Sequence, residues 1–77
     1  MEMVKMLKMV NGASEVALMD GRIREAISKD RAYVGRKTLA AYIVERNVAA
    51  AEIGWCERTF HDYELEVTAY ASKKDHS

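Results

Sequence analysis

The chain has no proline, one cysteine, one tryptophan and no long apolar run. Without proline, nothing in the sequence forces a helix to break. A single cysteine, Cys56, excludes an intrachain disulfide and leaves too few thiols for a cysteine-based metal site. That usage suits a reducing compartment and predicts a cytoplasmic protein. The opening stretch MEMVKMLKMV is interrupted by Glu2, Lys5 and Lys8, so it lacks the uncharged centre of a secretory signal. No segment reaches the roughly 20 apolar residues of a membrane-spanning helix, and no membrane partner is expected. An excess of one charge is also missing: twelve basic residues balance twelve acidic ones, which removes the overall basic footprint common in nucleic-acid-binding chains.

What is present is a chain of 77 residues, 49% apolar, expected to form a single helical domain over residues 1–77. A chain of this size buries only about 60–65% of its unfolded surface, so a homodimer is the expected way to add core. The charge is unevenly spread. Residues 1–37 hold eight basic and five acidic side chains, a balance of +3, and residues 38–77 hold four and seven, a balance of −3.

Met3, Met6, Leu7 and Val10 recur at helical spacing, with Asn11-Gly12 as a stop. A second helix is predicted from about Glu15 to Ile27, capped by Ser14 and carrying Val16, Met19, Ile23 and Ile27 on one face. Asp20/Arg24 and Glu25/Lys29 stand at the i, i+4 spacing of ion pairs. Asp20-Gly21 could alternatively turn a β-hairpin. Residues 28–36 read as a connection with room for one helical turn. From Lys37 the pattern is helical again through Leu39, Ile43, Ala50 and Ile53, with Asn47 either exposed within one helix or capping a new one. The last helix is predicted to begin near Glu57 and to use Phe60, Tyr63, Val67 and Tyr70 as its apolar face. The competing assignment makes LEVTAYA a strand and the domain a winged helix. The expected fold is therefore all-α, with four or five helices.

Within residues 46–65 the spacing is that of two short helices joined by a tight turn. Ala50 permits close helix approach, Ile53 and Trp55 flank Gly54 at the reversal, and Phe60 and Tyr63 recur in the second helix. This constellation resembles the helix-turn-helix of phage-repressor and Cro-like DNA-binding proteins. Trp55 and Cys56 depart from that family, which usually has a small aliphatic residue and a capping Ser there. Cys56 is expected to be a partly buried thiol.

The resemblance implies a sequence-specific DNA-binding protein, a small transcriptional regulator that places its second helix in the major groove of double-stranded DNA as a homodimer. Arg58 would contact guanine or phosphate, His61 a base edge or phosphate, and Glu57 or Asp62 the amino group of cytosine. Arg36 and Lys37 are the expected backbone contacts. An alternative is a helical module that binds a protein partner without DNA. An enzyme is not expected, because His61 and Asp62 are adjacent and diverge on a helix, and Cys56 and His61 are awkwardly spaced for a catalytic pair. No nucleotide-binding glycine loop or calcium loop is visible, so no cofactor is expected.

Overall fold

The structure is a computed structural model that describes the backbone of residues 2–75 and the side chains of residues 12–71. It is mostly helical. Helix α1 spans Glu2–Ser28, strands β1 (Tyr33–Val34) and β2 (Lys37–Thr38) form an antiparallel hairpin, and helices α2 (Leu39–Glu52) and α3 (Phe60–Asp75) follow. Three helices thus stand among the described residues where the sequence patterns predict four or five. The side chains of Met3, Met6, Leu7 and Val10 lie outside the described residues.

Helix α1 runs straight through the expected stop at Asn11-Gly12. The glycine instead serves packing: a Cβ at Gly12 would stand 2.8 Å from Cγ2 of Ile53, so its bare backbone admits the end of α2. Asp20-Gly21 also remains helical, because Val16, Met19, Ile23 and Ala26 form one buried stripe that a hairpin would split. The helix ends when Asp30 enters the left-handed region, φ 55°. Arg31 N–H then donates to Ala26 C=O at 2.7 Å and Asp30 N–H to Ile27 C=O at 3.1 Å, which satisfies carbonyls the helix end leaves unpaired.

The hairpin replaces the expected helical turn in residues 28–36. Its pairs are Tyr33 with Thr38 and Val34 with Lys37, leaving Gly35-Arg36 as a two-residue loop. Gly35 has φ +63° while Arg36 is not in the positive region, the signature of a type II′ turn that matches the twist of the strands. Thr38 then caps α2 by accepting from Ala41 N–H at 3.2 Å.

Helix α2 is continuous through Asn47 and buries Leu39, Tyr42, Ile43, Arg46 and Ala50. The core joins these to α1 and α3: Met19, Ile23, Ala26, Leu39, Tyr42, Ile43 and Tyr63, with Ile27 and Val34 packed at its margin. Segment LEVTAYA is helical rather than a strand, so the terminal strand of the winged-helix alternative does not form. Of the four apolar residues expected to face inward on α3, Tyr63 is fully buried and Val67 half-buried, whereas Phe60 and Tyr70 are exposed.

Candidate nucleic-acid interface

The reversal between α2 and α3 begins as its residue types dictate. Ile53 closes α2, Gly54 takes φ +77°, and Trp55 N–H returns to Ala50 C=O at 2.9 Å while Gly54 N–H reaches Ala51 C=O at 3.2 Å. Ala50 is wholly buried at this point. A small residue is thus enclosed at the end of α2, and a glycine occupies the left-handed position of the reversal.

The second half of the turn differs from expectation. Helix α3 starts at Phe60 rather than near Glu57, because Thr59 is the better cap. Asp62 Oδ2 accepts from Thr59 N–H at 2.8 Å and Thr59 Oγ1 accepts from Asp62 N–H at 3.2 Å, a reciprocal pair that satisfies two helix-end donors. Residues 53–59 make a longer connection than the three or four residues common in this arrangement.

Polar side chains hold that connection. Arg46 Nη1 donates to Cys56 C=O at 2.8 Å, Asn47 Nδ2 donates to Arg58 C=O at 2.7 Å, and Arg58 N–H donates to Asn47 Oδ1 at 3.0 Å. Behind them Arg46 Nε donates to Asp20 Oδ1 at 2.7 Å and Tyr63 donates its hydroxyl hydrogen to the same oxygen. The place expected to be filled by the apolar residues of the turn is thus taken by a hydrogen-bonded network. Trp55 and Phe60 correspondingly stand 42% and 45% exposed and Ile53 is half-buried, so only Tyr63 of the four expected core residues is fully enclosed. Cys56 is exposed rather than partly buried.

Each candidate DNA contact has a definite position. Arg58 is half-buried, bonded to Glu66, 4.0 Å from Asp20 and stacked over the Tyr63 ring with its guanidinium carbon 4.6 Å from the centroid. Arg24 bonds the other oxygen of Glu66, so one carboxylate holds α1, the turn and α3 together. Burial raises the Glu66 carboxyl, but the bonds from Arg24 and Arg58 outweigh it and leave it below its ordinary value. The expected pairing of Asp20 with Arg24 gives way to these longer-range partners. Glu25 and Lys29 pair as their spacing predicts, at 2.9 Å.

His61 is strongly exposed and lies 3.5 Å from Glu64; Glu57 is also exposed. Asp62 is committed to the cap, and the Thr59 backbone and hydroxyl bonds lower its carboxyl. Arg36 and Lys37 lie exposed on the hairpin, Lys37 bonded to Glu45. The candidates therefore form two groups, one around the start of α3 and one on the hairpin. Asp20, Arg46, Asn47 and Thr59, which build the site's frame, carried no functional prediction. Asp20 and Arg46 were detectable, since each is a charge set into an otherwise apolar stripe, with Val16, Met19 and Ile23 in α1 and with Leu39, Ile43 and Ala50 in α2.

Among the described residues, no group of three or more His, Cys, Asp or Glu is placed to hold a metal ion, and no helix is long and apolar enough to cross a membrane. No family model, curated protein or solved structure matches the chain.

Proposed function

We propose that the chain is a small DNA-binding regulator in which α2, the turn and α3 act as a helix-turn-helix. The observation that carries this reading is the joint placement of Ala50, Gly54 and Tyr63: a wholly buried small residue, a left-handed reversal, and a fully buried aromatic that fixes the inner side of α3. With that side anchored, Glu57 in the connection and His61 in the first turn of α3 face solvent, close to where a recognition helix meets base edges. Arg58 would join them by exchanging Glu66 for a phosphate or guanine, and Asp62 would remain a cap. Arg36 and Lys37 supply backbone contacts. The reaction is binding, without a covalent step, and a homodimer provides two half-sites.

Selection from a random duplex library tests this reading. An enriched sequence whose preference is altered by Glu57→Gln and His61→Ala is the expected result. Enrichment of no sequence would remove it.

A second reading, a helical module for a protein partner, rests on a different observation. Val44 and Val48 are 63% and 61% exposed one turn apart on the outer face of α2, and Trp55 and Phe60 add exposed apolar area after it. Loss of a partner or of self-association in Val44→Ser/Val48→Ser, with duplex binding absent from the wild-type chain, would favour this account.

A further inference from the structure

The exposed surface around α3 is acidic, yet duplex DNA demands cations. Residues 38–77 carry four basic and seven acidic side chains, a balance of −3. Residues 22–37 carry six basic and two acidic side chains, a balance of +4. That segment is the last part of α1 and most of the hairpin. The basic excess is therefore carried by elements other than the proposed recognition helix.

The geometry of this side is a ridge between two hollows. Arg22, Val34 and Gly35 border both. Arg36 and Lys37 line the larger, about 520 Å³, beside Glu15 and Glu45, and Arg31 and Tyr33 line the smaller, about 120 Å³, beside Glu25. Arg22, Arg31 and Arg36 are exposed and make no ion pair with another described residue. This distinguishes them from Arg24, Arg46 and Arg58, whose guanidiniums are engaged in holding the helices together. The type II′ turn places Arg36 at the tip of the hairpin, and Gly35 beside it adds no side chain to obstruct an approaching strand. Tyr33, exposed on β1, provides a hydroxyl donor next to Arg31.

We infer that the α1–hairpin ridge is a binding surface for the phosphodiester backbone of duplex DNA, with Arg22, Arg31 and Arg36 as its principal contacts. This deepens the DNA-binding reading but does not depend on α3 reading bases. Phosphate neutralisation is indifferent to sequence, so the ridge supplies affinity and salt dependence, while α3 supplies preference.

The test measures binding of the full chain to a fluorescent mixed-sequence duplex across a salt series. The variant Arg22→Gln/Arg31→Gln/Arg36→Gln is compared with the same three positions changed to Lys. Three lost phosphate contacts make the slope of log affinity against log salt shallower by about 2.7, whereas the Lys variant keeps most of the slope. A Gln variant with the wild-type slope, or a wild-type chain that does not bind the duplex at low salt, overturns the inference. Circular dichroism establishes that the variants remain folded, as expected for exposed side chains. Hairpin-dependent binding that is equal for every sequence removes base reading by α3 and leaves the ridge standing. Sequence-selective binding whose salt slope ignores the three arginines does the reverse.

Discussion

Arg46 in α2 donates from Nε to the Asp20 carboxylate of α1 at 2.7 Å, and both residues are buried although 26 positions separate them. Tyr63 of α3 donates to the same carboxylate, so one buried anion joins all three helices. Leaving either charge of such a pair without its partner costs about 3–5 kcal/mol. Arg46→Met is expected to lower stability by that order in urea denaturation. Replacing the whole set together, Asp20→Leu/Arg46→Met/Tyr63→Phe, should recover much of the loss, because no buried charge is then stranded.

The glycines separate by backbone conformation. Gly54 has φ +77°, where a Cβ is disfavoured, and Gly54→Ala should destabilise by about 1–2 kcal/mol. Gly21 is helical and nothing lies within 4 Å of an added Cβ. Gly21→Ala should stabilise by about 1 kcal/mol. Opposite shifts in melting temperature are the measurement.

Asn47 uses both ends of its amide to hold the backbone of Arg58. Asn47→Ala removes a donor and an acceptor and should cost about 1–3 kcal/mol. Hydrogen exchange should show faster opening at Arg58 N–H than at core amides of α2, with α2 itself retained.

Acid should weaken the attachment of α3. Glu66 and Asp62 are held below their ordinary values of 4.5 and 3.8, so their stabilisation is present above those values and disappears as pH falls through the lower folded ones. Glu66→Gln and Asp62→Asn should flatten this acid limb of a urea-midpoint titration. Alkali acts through Tyr63, whose hydroxyl is raised well above 10.0 by burial and its bond to Asp20. The stability tied to its proton is complete below pH 10.0 and is lost as pH rises through the higher folded value. Tyr63→Phe should remove that alkaline dependence.

Much of the helical framework was legible because local chemistry decided it. The stripes Val16, Met19, Ile23 and Leu39, Ile43, Ala50 marked α1 and α2, and Gly54 marked the reversal. What escaped was set by distant contacts. Gly12 looked like a stop because its packing partner, Ile53, is 41 residues away. Arg58 looked outward because the resemblance assigns it to the groove-facing side of the second helix, whereas Glu66, Asp20 and the Tyr63 ring draw it inward. Trp55 and Phe60 read as core by residue type, but the network around Asp20 and Arg46 fills the space beneath the turn. The hairpin was missed because its strands are only two residues each, too short for alternation to register.

The most direct test of DNA binding through α3 is fluorescence anisotropy with the duplex enriched from a random library, set against a scrambled duplex of equal length and salt. The account predicts tighter binding to the enriched duplex by the wild-type chain, with the difference reduced at least about tenfold, or about 1.4 kcal/mol, in Glu57→Gln/His61→Ala. Equal affinity for the two duplexes, or an unchanged preference in that variant, would contradict it.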